Sequence, residues 1–216
     1  MDGMRYMKTI ITIQHTESEQ HINGMIGSVF DWDLTENGIA QAQRVGKALS
    51  NEFREKKFAI YSSDLLRARH TADIIAHSFD SVPIYTDVLR EFDLGEAVGK
   101  SKAWARGNRK SFVWQGTVDW ASDIDGRAFD GAESKRDVWN RLMPFVNGIM
   151  KGDDENIIIV SHDGTLSIFY AVWLGLDIEF LGGCNFNGKS GGVSILCEDD
   201  EGHRIIKRMN DMSYQM

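Results

Sequence analysis

Two histidines directly follow short apolar runs in the sequence. The run IITIQ precedes His15, and the run IIIVS precedes His162. Runs of this length are typical of buried strands, and ligands of open parallel sheets bind beyond the carboxyl ends of the strands. One such histidine alone would more often be structural. Two at equivalent positions, each followed by small polar residues, predict a site in which two imidazoles face each other.

A third candidate strand leads to an arginine, Arg67, within the segment AIYSSDLLRARHTA. The N-terminus of the helix that begins there attracts anions and is unfavourable for a cation. The arginine is better explained if an anion binds there, held by Arg67 and by backbone N–H groups together. The alternative is a surface arginine paired with a carboxylate. Two imidazoles and one guanidinium together predict a pocket for a phosphoryl group.

The strands that would position these residues alternate with helices. Apolar runs predict strands over residues 8–14, 58–61, 157–161, 192–197 and 204–208, with a weaker candidate at 82–85. Apolar residues at helical spacing predict helices within residues 34–56, 64–79, 133–150 and 164–176. This alternation indicates an α/β fold with a mainly parallel central sheet that is covered by helices on both faces.

Local signals set the expected ends and shapes of the helices. Thr35 and Asp64 are N-cap candidates, because their side-chain oxygens can accept from the first free N–H groups of a helix. Pro144 should bend its helix, since its ring removes one backbone hydrogen bond. The helix within 164–176 is apolar nearly all round and is therefore expected to be buried.

Residues 92–130 interrupt the alternation and are called the cap insertion below. This stretch holds Trp104, Trp114 and Trp120, three of the six tryptophans of the chain. It also carries Arg106 and Arg109, which could contact an anionic part of a substrate. A long irregular insertion is usually functional, so a cover over the site is predicted. The alternative is a solvated excursion held by structural tryptophans.

The composition limits the possible classes of protein. The chain has 216 residues, of which 42% are hydrophobic and 26% charged, as in an ordinary globular protein. Its net charge of −8 argues against non-specific binding to nucleic acid or anionic membranes. Cys184 and Cys197 have no metal-ligand spacing, and no run reaches the roughly 18 apolar residues of a membrane span. A cytoplasmic protein with one domain over residues 1–216 is expected.

Six motifs carry a family resemblance. In order they are QHTES, DWDLTENGIAQA, SSDLLRARHTA, LREFDLGEAVG, GAESKRDVWNRLMPF and IIIVSHDG. They resemble the motifs of the histidine phosphatase superfamily, from about residue 8 to residue 209. The resemblance implies the phosphoglycerate mutase-like fold, a three-layer αβα sandwich. It also implies that no metal and no cofactor is needed, because side chains supply the positive charge.

The resemblance assigns expected roles to four residues. His15 would be the nucleophile that attacks phosphorus and forms a phosphohistidine. Arg67 and His162 would stabilise charge on the phosphoryl oxygens. Glu91 would protonate the leaving oxygen and then activate water. Outside its motif, Glu91 would more often be a structural carboxylate at a loop or helix end.

The anion pocket also departs from the family pattern. Gln14 replaces the arginine before the nucleophile, and Thr16 replaces the glycine after it. His21 replaces a phosphate-binding asparagine, and Asp163 replaces the glycine after the second histidine. The resemblance makes Gln14, Ser18 and His21 phosphate-binding positions, together with Arg67 and His162. A protonated His21 could compensate for the lost arginine, or it could be only a loop residue.

Three functions fit these motifs. The leading prediction is a phosphomonoester hydrolase that acts on a small phosphorylated metabolite, because the short cap insertion leaves the phosphoenzyme open to water. The alternatives are a phosphoglycerate mutase and a non-catalytic protein that binds phosphoryl ligands. No nucleic acid or membrane partner is expected, and a homo-oligomer is an open possibility.

Overall fold

The computed structural model describes residues 6–110, 113–114, 117–118 and 124–216. Its central sheet contains six strands: β1 (Tyr6–Gln14), β2 (Ala59–Ser63), β3 (Ile84–Thr86), β6 (Asn156–Ser161), β7 (Val193–Asp199) and β8 (Arg204–Asp211). A separate pair, β4 (Val113–Trp114) and β5 (Thr117–Val118), is antiparallel and belongs to the cap insertion. Every strand predicted for the central sheet is present, including the weak candidate that became β3.

The order of strands in the central sheet is β3-β2-β6-β1-β7-β8. The first four of these are parallel, whereas β7 runs antiparallel to β1 and β8 antiparallel to β7. The central strand β6 is a continuous apolar run, as expected for a strand that is buried on both faces. The prediction of a mainly parallel sheet is confirmed, with an antiparallel hairpin at one edge.

The helices of the described part are α1 (Glu19–Ile22), α2 (Glu36–Glu52), α3 (Leu66–His77), α4 (Lys102–Asn108), α5 (Lys135–Lys151) and α6 (Asp163–Leu174). Short 3₁₀ turns occur at Asp87–Leu89, Gly95–Ala97, Ile178–Gly182 and Ser213–Gln215. Over the ranges that the structure describes, no helix is both long and apolar enough to cross a membrane.

Two apolar cores lie on opposite faces of the central sheet. On one face, Val45 and Leu49 of α2 pack with Ile75 of α3. On the other face, Leu142 of α5 packs with Phe169 of α6. The helix α6 is buried nearly all round, as predicted. These two layers of helices confirm the three-layer αβα sandwich; a single domain over 1–216 stays a prediction.

One of the two N-cap predictions is correct. Thr35 caps α2, since its hydroxyl accepts from the Gly38 N–H at 3.0 Å. Asp64 was expected to cap α3, but Leu65 occupies the N-cap position. The Asp64 carboxylate instead pairs with Arg90, at 2.7 and 2.6 Å, so its oxygens are not available to the helix. The helix α5 continues through Pro144 to Lys151.

The cap insertion contains regular structure of its own. A 3₁₀ turn, α4 and the pair β4–β5 lie within it. Ala97, Ala105 and Phe129 of the insertion form a small apolar cluster with Ala132, which lies just beyond it. The ring of Trp104 stacks on that of Phe129 at 6.0 Å. The side chains of Trp114 and Trp120 lie outside the described residues.

Candidate active site

Four of the residues singled out by sequence follow the carboxyl ends of neighbouring parallel strands. His15 follows β1, His162 follows β6, Arg67 lies in the first turn of α3 after β2, and Glu91 lies beyond β3. Adjacent parallel strands end at the same edge of a sheet, which brings these segments together. The ring centroids of His15 and His162 are 5.0 Å apart.

The hydrogen bonds of His15 define its tautomer. Its Nδ1 lies 2.8 Å from the carbonyl oxygen of Thr16, which can only accept, so Nδ1 carries the proton. The other nitrogen, Nε2, accepts from Arg67 Nε at 3.1 Å. Burial of the ring, and then the charge of Arg67, lower the pKa of His15 well below its ordinary value. His15 therefore presents a neutral imidazole with a lone pair on Nε2.

The Arg67 guanidinium is fully buried. It donates from its terminal nitrogens to the carbonyls of Phe30, at 2.9 Å, and Ser28, at 2.7 Å. Burial lowers the pKa of Arg67 to about 10, although nearby Glu91 partly opposes this. The surface ion pair considered as an alternative is therefore wrong. A buried guanidinium whose hydrogen-bond partners are two carbonyls and an imidazole favours an anion as its missing partner.

His162 is also buried and is the N-cap residue of α6. Its Nε2 lies 2.8 Å from Ser63 Oγ, while its Nδ1 has no hydrogen-bond partner among the residues that the structure describes. Burial, and then the charges of Arg67 and His15, lower the pKa of His162 well below its ordinary value. Ser63 was not predicted as a functional residue, although it belongs to the motif that contains Arg67.

Glu91 lies at the N-terminus of α6. Its carboxylate accepts from the N–H groups of Phe92 at 3.0 Å, Thr165 at 3.2 Å and Gly164 at 3.3 Å. Burial raises the pKa of Glu91, and these backbone hydrogen bonds and Arg67 only partly oppose the rise. A Cβ at position 164 would lie 2.7 Å from Glu91 Oε1, so any larger residue there would displace the carboxylate from this position. A raised pKa suits a carboxyl group that gives and takes protons.

Hydrogen bonds from Arg141 of α5 hold the segment that carries Glu91. Arg141 donates to the carbonyl of Arg90 at 2.9 Å and to Glu133 Oε1 at 3.0 Å. The other oxygen of Glu133 accepts from the Asp93 N–H at 2.9 Å. Sequence patterns did not single out Arg141, although Glu133 belongs to the GAES motif.

Ser18 and His21 lie beside His15. The Ser18 N–H donates to His21 Nδ1 at 2.9 Å, which leaves Nε2 of the neutral ring as the donor. The rings of His21 and His15 stack at 5.5 Å. Partial burial, and then Lys102 and Arg67, lower the pKa of His21. In this arrangement a protonated His21, the expected substitute for the lost arginine, is disfavoured.

The side chains of Gln14 and Asp163, two departures from the family pattern, lie close to the same residue, Gly188. A Cβ built on Gly188 would lie 3.0 Å from Gln14 Oε1 and 3.4 Å from Asp163 Oδ1. Asp163 Oδ1 accepts from the Gly188 N–H at 2.6 Å, whereas Gln14 Oε1 is buried without a hydrogen-bond partner in the described part of the chain. Gln14 and Asp163 therefore lie close to the same residue, Gly188.

A cleft of about 840 Å³ opens next to Glu91 and His21. Met25, Ile26, Leu94 and Phe129 contribute an apolar side, and this set is called the apolar wall below. Arg106 and Arg109, at the end of α4, line the same cleft. Residues of α4 thus line this cleft, and a cover over the site by the cap insertion stays a prediction.

The fold and these motifs identify the class of protein. A family model described as the histidine phosphatase superfamily (branch 1) matches residues 10–212. The chain therefore belongs to the histidine phosphatase superfamily.

Relatives with known names include both phosphatases and phosphoglycerate mutases. The chain is 29% identical to phosphoserine phosphatase 1 of Hydrogenobacter thermophilus, over 93% of this chain and 92% of that protein. It is 28% identical to a 2,3-bisphosphoglycerate-dependent phosphoglycerate mutase of Afipia carboxidovorans, over 74% and 77% of the two chains. A solved mycobacterial glucosyl-3-phosphoglycerate phosphatase shares the fold, with 22% identity, a TM-score of 0.78, and coverage of 94% and 99%.

Proposed function

We propose that this protein hydrolyses phosphomonoesters of small metabolites through a phosphohistidine at His15. One observation carries the proposal: the Nε2 lone pair of His15 faces the buried guanidinium of Arg67, which has no carboxylate hydrogen-bonded to it among the described residues. A phosphoryl group that enters between them would replace this hydrogen bond. It would then lie beside both the nucleophile and a charge-stabilising group.

In the first step, His15 Nε2 attacks phosphorus and the bond from phosphorus to the leaving oxygen breaks. The Glu91 carboxyl group gives its proton to that oxygen, so the alcohol departs neutral. In the protonation state that we propose, Ser63 Oγ accepts from the Leu65 N–H at 3.3 Å and donates its own proton to His162 Nε2. His162 then presents an Nδ1–H to a phosphoryl oxygen, which supplies the partner that Nδ1 lacks.

In the second step, the Glu91 carboxylate takes a proton from water. The water oxygen attacks phosphorus, the bond to His15 Nε2 breaks, and inorganic phosphate leaves. Glu91 is protonated again and His15 is neutral again, so the cycle closes. Arg67 supplies the positive charge in both steps, and the reaction that we propose needs no metal.

A phosphoglycerate mutase is the second candidate, because a named relative has that activity. We expect the purified chain to release inorganic phosphate from a panel of phosphomonoesters, at the same rate with and without EDTA. With 3-phosphoglycerate and 2,3-bisphosphoglycerate, we expect phosphate release to exceed isomerisation. Faster isomerisation would establish a mutase, and phosphate binding without turnover would establish a binding protein.

The proximity of the Gln14 and Asp163 side chains leads to a prediction about phosphate affinity. An arginine introduced by Gln14→Arg alone would be neutralised by Asp163. Gln14→Arg combined with Asp163→Gly should bind inorganic phosphate about 5–30-fold more tightly, because a charge-assisted contact exceeds a neutral one by about 1–2 kcal/mol. The inhibition constant of phosphate measures this effect.

His21→Asn provides the matched comparison for that double variant. Because neutral His21 offers only an N–H donor, which asparagine can replace, its phosphate affinity at pH 8 should stay within about threefold of the parent. If His21→Asn is the weakest binder and the double variant equals the parent, His21 and not Asp163 is coupled to Gln14.

A further inference from the structure

The cleft beside Glu91 is larger than a three-carbon phosphoester requires. Its volume of about 840 Å³ lies in the range of clefts that hold drug-sized ligands. Glu91 and Gly164 line it next to the phosphoryl site, so the departing alcohol would occupy it. The shape and charge of the cleft therefore describe the leaving group of the substrate.

One side of the cleft is apolar. Ile26 and Leu94 pack against the small apolar cluster of the cap insertion, to which Phe129 belongs. Met25 lines the cleft outside that cluster and is half-buried. A fully polar three-carbon alcohol would leave this wall in contact with water, whereas a ring or an alkyl chain would cover it.

Another side of the cleft carries two arginines. Arg106 lies in the last turn of α4 and Arg109 is its C-cap residue, and both side chains line the cleft. Both are exposed, and neither forms an ion pair with any residue that the structure describes. Lys102, the nearby lysine of the same helix, donates to the carbonyl of Gln20 at 2.9 Å. Paired guanidinium groups of this kind match a carboxylate or a phosphate.

We propose that the leaving alcohol is a hydroxy acid larger than serine, with an apolar body against the apolar wall and a distal anionic group bound by Arg106 and Arg109. This assignment rests on the proposed function, because it places the scissile phosphoryl group at His15. The anion would be a carboxylate or a second phosphoryl group, which share the same chemistry towards guanidinium.

Two synthetic substrates of nearly equal shape test the anion. They are 4-carboxyphenyl phosphate and its neutral amide, 4-carbamoylphenyl phosphate. The parent should prefer the carboxylate in kcat/KM, and Arg106→Gln with Arg109→Gln should reduce that preference about tenfold. Arg54→Gln is the matched control, since Arg54 is an exposed arginine on another helix end, and it should leave the preference unchanged.

A second pair of substrates tests the apolar wall. Benzyl phosphate and ethyl phosphate both release a primary alcohol and differ mainly in apolar area. The parent should prefer benzyl phosphate, and Met25→Gln, which keeps the length of the side chain, should reduce that preference several-fold.

If the parent hydrolyses both aryl phosphates and the arginine variants leave the ratio of their kcat/KM values unchanged, the inference is overturned. The hydrolase proposal then remains intact. If the parent hydrolyses neither compound, the panel of phosphomonoesters decides the hydrolase proposal, and binding of the two compounds decides the inference. In that case calorimetry measures the dissociation constants of the same two compounds. They must show the same arginine-dependent preference for the carboxylate. Equal dissociation constants would overturn the inference.

Discussion

His15→Ala should lower phosphate release at least about a thousandfold, because no other group would be placed to attack phosphorus. The parent, mixed rapidly with labelled substrate and denatured in base, should carry one phosphoryl group on His15. That label should be lost in acid and survive in base, as expected for a phosphorus–nitrogen bond. Labelled peptides and the single-turnover rate measure the two effects.

The matched control is His77→Ala, which removes an exposed histidine from the last turn of α3. It should retain both the label and the full rate. Thermal unfolding of His15→Ala separates a lost nucleophile from a lost fold, since the buried ring also donates to Thr16. A folded His15→Ala protein that keeps full turnover, or a label that resists acid, would exclude a phosphohistidine at this position.

The pattern of apolar runs was sufficient to predict the strands and the residues at their ends. His15 and His162 were predicted because each directly follows such a run. A residue that follows a parallel strand lies at the edge of the sheet where the carboxyl ends of the strands meet. Glu91 has no comparable signal. It follows a three-residue 3₁₀ turn after the short edge strand β3, so only the family motif indicated it.

The proximity of Asp163 to Gln14 could not be predicted from sequence separation. His21 is seven residues away along the chain, whereas Asp163 is distant in sequence. The register between β1 and β6 pairs Gln14 with Ser161, which places Asp163 close to Gln14 once the sheet forms. The loop at Gly188, which contacts both side chains, is fixed only by tertiary packing.

The error at Asp64 has a similar origin. An aspartate before a helical pattern is a good N-cap candidate by local rules. Here the charged group of Arg90, in the segment that leads to Glu91, binds both carboxylate oxygens. The first N–H of α3, that of Leu66, is instead satisfied by Asp31 from a remote loop, at 2.6 Å.

The geometry of Glu91 leads to an expected result that depends on the leaving group. Glu91→Gln should lower kcat/KM about 10²–10⁴-fold for alkyl phosphates, whose alkoxide must be protonated as it leaves. The loss for 4-nitrophenyl phosphate should be less than about tenfold, because its phenolate leaves unaided. The parameter kcat/KM is the one to measure, since it excludes the later water attack in which Glu91 also acts.

The same variant gives a prediction about pH. Burial raises the pKa of Glu91, and the acid form is needed in the first step, so kcat/KM for an alkyl phosphate should fall as pH rises through that pKa. This limb should vanish in Glu91→Gln, while the fall at low pH, where His15 becomes protonated, should remain. Glu36→Gln, at an exposed position in the first turn of α2, is the control and should keep both limbs. Equal losses for alkyl and aryl esters would mean that Glu91 only positions the segment at the N-terminus of α6 and transfers no proton.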